Sequence, residues 1–278
     1  MTGRDFAALG RRVRDLVFPP QLYCLSCGAV IDPARTYGLC DECITKFGWA
    51  TGRTCAKCGK PLPPASLHDR CYDCRTITHA FDRGYTCASY GLYERMLISE
   101  FKERDKDYIG YAIADVMADR LAQLPVYPEL ITAVPAGRWK TARRGYDQTE
   151  VAAKALAKRT GIPHLNLLVR IRHTEAMRTL GAGERRANVQ GAFSIFKGKE
   201  RIVKGKSILL IDDVYTTGST LDACAAVLKE TGAAQVDVLT FAAGADVHPA
   251  FEESAAARAP EEPRGVQNNV QEFAQNAT

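Results

Sequence analysis

The run Ser207–Leu221, SILLIDDVYTTGSTL, ends an apolar segment in two carboxylates, Asp212 and Asp213. It then presents Thr216, Thr217, Gly218, Ser219 and Thr220. These residue types suit a ligand that carries both phosphate and hydroxyl groups. Ile208–Ile211 are continuously apolar, as in a strand buried on both faces of a parallel sheet. Leu221, Cys224, Ala225 and Leu228 recur as the inner face of a helix. The first N–H groups of such a helix have no intrahelical partner, and its dipole favours an anion. Gly218 permits positive φ and close backbone approach, while the Thr and Ser hydroxyls add donors. Two adjacent acids repel a phosphate, so ribose hydroxyls or a hydrated Mg²⁺ suit them better. An ordinary strand–turn–helix needs one capping residue, whereas seven of the nine positions from Asp212 to Thr220 are of this kind.

A second chemistry is carried by cysteine. Eight of the ten cysteines form four C-x-x-C pairs, Cys24/Cys27, Cys40/Cys43, Cys55/Cys58 and Cys71/Cys74. Two such pairs supply four thiolates at tetrahedral reach, the donor set of a structural Zn²⁺ site. The pairs repeat with a period of 31 residues, and Gly28 and Gly59 follow the second cysteine of equivalent pairs. The duplication favours two self-contained sites, Cys24/Cys27/Cys40/Cys43 and Cys55/Cys58/Cys71/Cys74, although alternating, cross-braced pairs fit the same spacing. Disulfides would require an oxidising compartment, and redox C-x-x-C motifs come singly. His68 and His79 are surplus to eight thiolates and are expected at the surface or beside a metal ligand. Cys87 and Cys224 lie in apolar contexts and are expected as small buried hydrophobes.

The elements that must position these groups alternate. Strands are expected at Arg83–Tyr90, Leu130–Val134, Leu167–Ile171 and Val236–Phe241, in addition to the run that starts at Ser207. Helices are expected at Leu92–Arg104, 108–124, 147–160 and 219–232. This order predicts an α/β fold with a doubly wound parallel sheet. Phe6, Leu9, Val13, Leu16 and Val17 recur at helical spacing, so residues 1–20 read as an N-terminal helix rather than an export signal. Residues 21–80 form the cysteine module and 81–244 the α/β domain. Residues 245–278, with six acids against two bases, read as a disordered acidic tail. No apolar run is long enough to cross a membrane, and a cytoplasmic protein is expected. Net charge is +5, but residues 135–205 hold sixteen Lys or Arg against five Asp or Glu. That excess points to an anionic ligand or partner, pyrophosphate and nucleic acid both qualifying.

The run Asp212–Thr220 resembles the phosphoribosyl-pyrophosphate (PRPP) signature of type I phosphoribosyltransferases. Three further stretches resemble the ComF family: the block from Ala133 through Arg143-Arg-Gly-Tyr-Asp-Gln148, the block Glu184-Arg-Arg-Ala-Asn188…Gly191-Ala-Phe193, and Phe18-Pro19-Pro20 leading into the double zinc ribbon. The resemblance implies a type I phosphoribosyltransferase-like parallel sheet with helices on both faces, preceded by a small double zinc-ribbon module. It implies that Asp212 and Asp213 hold ribose hydroxyls and that Thr216–Thr220 wrap a 5′-phosphate. Pro135, Ala136, Gly137, Arg138 and Lys140 would form the pyrophosphate loop, with Arg143, Arg144 and Gln148 at the start of the next helix. Residues 172–193 would form a flap carrying Arg172, Arg178, Arg185, Arg186 and Asn188. Met177 stands where the family's flap usually has Gln. Thr216 stands where purine-salvage enzymes carry an Asp.

On this resemblance the cofactors are two structural Zn²⁺ and Mg²⁺ bound with PRPP. The activity is phosphoribosyl transfer to an unnamed acceptor. The alternative is a single-stranded-DNA-binding factor in DNA uptake, working beside competence helicase-type partners with PRPP as a regulatory ligand. Mildly basic Arg53, Lys57 and Lys60 in the cysteine module fit the second reading.

Overall fold

The computed structural model describes residues 22–103, 106–137, 141–142, 144–172 and 188–246. The expected N-terminal helix and nearly all of the acidic tail lie outside these residues. Short helices α1 (Asp41–Lys46) and α2 (Tyr72–Thr76) belong to the cysteine repeats. They are followed by β1 (Arg83–Ser89), α3 (Leu92–Phe101), α4 (Ile109–Ala122), β2 (Leu130–Ala133) and α5 (Gln148–Thr160). Then come β3 (Leu168–Arg170), β4 (Phe193–Ile195), α6 (Glu200–Val203), β5 (Ser207–Tyr215), α7 (Ser219–Glu230) and β6 (Gln235–Ala243).

Four strands form one parallel sheet in the order β1-β6-β5-β2. Ile208, Leu209, Leu210 and Ile211 at its centre are fully buried, each contributing on the order of 1.5–3 kcal/mol by removal from water. Their side chains alternate between the two faces. Leu209 and Ile211 join a core with α4 and α5, and Ile208 and Leu210 join one with α7. The cysteine repeats divide in the same way. Cys24, Cys43 and Phe47 belong to the first core, whereas Cys55, Cys58, Cys71 and Cys74 belong to the second. The segment joining the repeats runs along the edge of β1, with an antiparallel bridge between Trp49 and Ala88.

Two expectations are corrected. The strand expected at Leu167–Ile171 forms as β3 but stands outside the parallel sheet, pairing antiparallel with β4 in the register Arg170↔Phe193. The two ends of the intervening segment thereby become neighbours, a long-range pairing invisible to local periodicity. Strand β5 does not stop at Ile211. It continues through both acids to Tyr215 because β6 is equally long and supplies partners, Thr240 for Asp212 and Ala242 for Val214.

Candidate functional site

Asp212 and Asp213 lie near the carboxyl end of β5, at the edge of the sheet where α/β folds hold ligands. Both are half-buried. Lys102, at the C-terminal end of α3, places Nζ 2.9 Å from Asp213 Oδ2. Burial opposes ionisation of Asp213, but the Lys102 ammonium outweighs it and holds the carboxyl below its ordinary range. Burial and the neighbouring Asp213 charge push Asp212 well above that range. The pair therefore carries one negative charge more readily than two. The Asp213 N–H donates to Asp212 Oδ1 at 2.9 Å and fixes the two side chains relative to each other.

Two loops flank the acids. Gly218 N-caps α7 with φ +75° and no side-chain cap, so the first N–H groups of the helix remain available to an anion. Thr217 and Ser219 bond through their hydroxyls at 2.9 Å. On the other side, Val134 N–H donates to Ile211 O at 2.9 Å, which sets the loop beginning at Pro135 beside the acids. Asp147 shapes that loop. Its carboxylate accepts Ala136 N–H at 2.8 Å and also caps α5 through Glu150 N–H. The expected ligand groups Pro135–Gly137, Asp212, Asp213 and Thr216–Thr220 thus converge on one edge of the sheet.

Arg138, Lys140, Arg143, Arg178, Arg185 and Arg186 lie outside the described residues. Asn188 is helical and lies shortly before β4. Arg172 does not turn to the ligand edge: its guanidinium donates to the carbonyls of Asn188 and Gln190, at 3.0 and 2.7 Å, and ties the two ends of the flap segment together. Arg144 bonds Gln148 within the same block.

The cysteines form two groups, Cys24/Cys27/Cys40/Cys43 and Cys55/Cys58/Cys71/Cys74, with all sulfurs of a group within 4.8 Å of one another. The sequential arrangement is therefore the one adopted. Tetrahedral Zn–S bonds of about 2.3 Å set sulfurs about 3.8 Å apart. Cys27–Cys40 and Cys58–Cys71 stand at 3.7 and 3.6 Å. The repeat holds at the hydrogen-bond level: Cys40 N–H donates to Cys24 Sγ at 3.4 Å, and Cys71 N–H, 31 residues on, to Cys55 Sγ at 3.3 Å. Four crowded thiols do not all ionise without a cation. Cys43 is pushed up, chiefly by burial. At Cys24 the N–H donors overcome burial and bring the thiol down to about 7. All-sulfur, tetrahedral donor sets of this kind fit structural Zn²⁺ and leave no open position for catalysis.

Two known domain families match the chain. A double zinc ribbon domain matches residues 13–75, and a phosphoribosyl transferase domain matches residues 110–265. "DNA utilization protein YhgH" of Escherichia coli O157:H7 is 30% identical over 165 residues, covering 57% of this chain and 70% of the relative. The chain belongs to the ComF family. "Competence protein F" of Haemophilus influenzae is 35% identical over 150 residues, 51% of this chain, and the match spans just under two thirds of that relative, 65%. A solved structure of an allosteric regulatory enzyme of purine biosynthesis aligns at TM-score 0.34 and 23% identity. It covers 48% of this chain and 26% of that one, a likeness too partial to carry function across.

In this ComF-family chain several site residues escaped the sequence. Lys102 falls at the end of the helix expected at Leu92–Arg104, where the sequence suggests no site role. Tyr146 and Gln148 position it, both donating to the carbonyl of Phe101, at 2.6 and 3.1 Å, while Tyr146 also reaches Glu103 O. Arg170, on β3, has its guanidinium against the Phe193 ring and close to Gly137, with Asp212 among the charges acting on it. His68 is exposed as expected. His79 is instead fully buried, with Nδ1 2.6 Å from Asp222 Oδ2. Cys87 and Cys224 are buried, and burial pushes both thiols up. No local signal marks these side chains, because their roles depend on contacts up to 143 residues apart. Among the described residues, no helix is long and apolar enough to cross a membrane.

Proposed function

We propose that the protein binds PRPP with Mg²⁺ and transfers its phosphoribosyl group to an acceptor, in the service of DNA uptake or utilisation. The observation that carries the reading is the convergence of the acid pair, the capless α7 N-terminus and the loop after β2 on one sheet edge. In this reading Asp212 and Asp213 take the ribose hydroxyls, and Thr216–Thr220 with the first N–H groups of α7 take the 5′-phosphate. The loop Pro135–Lys140 takes the diphosphate. Mg²⁺ suits the oxygen-rich ligand and would be held chiefly by the ligand's own oxygens beside Asp212. Breaking the bond from C1 to pyrophosphate develops positive charge on the ribose and negative charge on the leaving group. The acid pair would favour the former, and Arg138 and Lys140 the latter. The flap would exclude water. The words "competence" and "DNA utilization" in the relatives' names support the biological setting.

Calorimetry with PRPP and Mg²⁺ tests the site. Binding that disappears in Asp212→Ala/Asp213→Ala, together with pyrophosphate release that needs both acids, is expected. Absence of PRPP affinity in the intact protein refutes the assignment. The excess of sixteen basic over five acidic residues in 135–205 favours a second reading, direct binding of single-stranded DNA. Its mark is a steeply salt-dependent affinity that survives the double substitution.

A further inference from the structure

The second cysteine cluster is connected to the phosphate loop by a buried line of side chains. Tyr215 closes β5 directly before Thr216, and its ring is buried. Its ring shares one buried core with Cys55, Cys58, Cys71 and Cys74, and its hydroxyl lies 3.4 Å from His79 Nε2. His79 continues to Asp222 at 2.6 Å, and Asp222 Oδ1 accepts Ala80 N–H at 2.9 Å. Asp222 stands in the first turn of α7, and its own N–H donates to Gly218 O at 2.8 Å. The line therefore returns to the loop from beneath. Gly218 rests on the same tyrosine, for a Cβ at that position would sit 2.5 Å from the Tyr215 hydroxyl.

The cluster itself has no room to shift against the sheet. A Cβ on Gly59, the residue after Cys58, would meet Tyr85 Cα at 2.5 Å, and one on Gly84 would meet Cys58 O at 2.7 Å. Lys60 and Asp73, paired at 2.9 Å, add a buried clamp, with the Lys60 ammonium 5.8 Å from the Tyr215 ring centroid. The first cluster is connected elsewhere. Ser26 Oγ donates to Tyr93 O in α3, and Tyr37 to Asp119 in α4. Cys27 in that cluster is exposed, whereas all four cysteines of the second are buried.

We propose that the second zinc cluster is the foundation of the phosphate loop. Tyr215 acts as the positioning residue between them, so metal at Cys55/Cys58/Cys71/Cys74 and a phosphorylated ribose at Thr216–Thr220 bind with positive coupling. The first cluster takes no part. The ligand half of this inference rests on the PRPP reading above. Coupling of this type is reciprocal: whatever zinc contributes to ligand affinity, the ligand returns to zinc retention.

The test uses the full-length, zinc-loaded protein and a chromogenic chelator. Zinc is expected to leave in a fast phase from the cluster that holds exposed Cys27 and in a slow phase from the buried one. PRPP with Mg²⁺ is expected to slow the slow phase by about fivefold or more, within the usual range of such couplings, and to leave the fast phase unchanged. In Tyr215→Phe, which keeps the ring, the ligand binds more weakly and the slowing is lost. A second arm needs no ligand: amide hydrogen exchange at residues 216–222 is expected to accelerate in step with the slow phase. PRPP binding without any effect on zinc release overturns the inference and leaves the PRPP reading standing. Absence of PRPP binding, with loop protection still following the slow phase, overturns the PRPP reading and confines the coupling to the loop. Loop protection indifferent to zinc overturns the inference whatever the ligand does.

Discussion

Replacing Lys102 with Met removes the cation that holds Asp213 ionised. The pair spans 2.9 Å, and its side chains are 26% and 21% exposed. At this separation and an effective dielectric near 20, the gross attraction is about 6 kcal/mol. Desolvation and side-chain ordering offset much of it. Exposed pairs net about 0–1 kcal/mol, and breaking a fully buried one costs about 3–5. A pair about one-quarter exposed falls between, so about 2 kcal/mol is expected for Lys102→Met, with a coupling of about 1–2 kcal/mol in a double-mutant cycle with Asp213→Asn. The assay is urea unfolding of zinc-loaded protein at pH 7.5, where the cysteine ligands keep their metal. The pH direction follows from linkage. Because the folded Asp213 value is depressed, its contribution is complete above the unfolded carboxylate value of about 3.9 and is lost as pH falls through the lower folded value. Lys102→Arg should restore most of the stability. A coupling below about 0.3 kcal/mol would refute the account of how the acid pair is held.

Asp212 behaves oppositely: its raised value means that a ligand preferring the carboxylate expels a proton. PRPP affinity should rise with pH above the ordinary carboxylate range, and calorimetry in buffers of different ionisation heat should report proton release rather than uptake. Gly218→Ala forces a side chain into positive φ and onto the Tyr215 hydroxyl, a strain of about 1–3 kcal/mol. Ligand affinity should fall at least tenfold while far-ultraviolet circular dichroism is unchanged. Asp147→Ala removes the cap of α5 and the partner of Ala136 N–H. A loss of about 1–2 kcal/mol in urea unfolding is expected, accompanied by weaker PRPP binding. Metal analysis of the intact protein should find two zinc per chain, and a value near one would refute one of the two clusters.

The contribution of the RRGYDQ block differs from what its charges suggest. Two of its residues, Tyr146 and Gln148, hold the end of α3 and so deliver Lys102 to Asp213, and a third, Asp147, folds the loop after β2. At these positions the block that resembles the ComF motif holds Lys102 and the loop after β2 in place beside the acid pair. Arg172 shows the same shift of role, since it ties down the ends of the flap segment.

The cysteine donor sets, the hydroxyl- and glycine-rich turn that follows the acid pair, and the alternation of strands with helices were legible in the amino-acid sequence. Each depends on residue type at short, fixed spacing: C-x-x-C at a 31-residue period, a hydroxyl- and glycine-rich turn after an apolar strand, and helical or alternating hydrophobic periods. Tertiary structure alone decided what those motifs touch. It extended β5 through the acids, paired β3 with β4, placed one zinc cluster on each face of the sheet, and buried His79 and Tyr215 between the second cluster and the loop. These outcomes rest on packing and hydrogen bonds between residues far apart in the chain, and no local pattern of residue types encodes such partners.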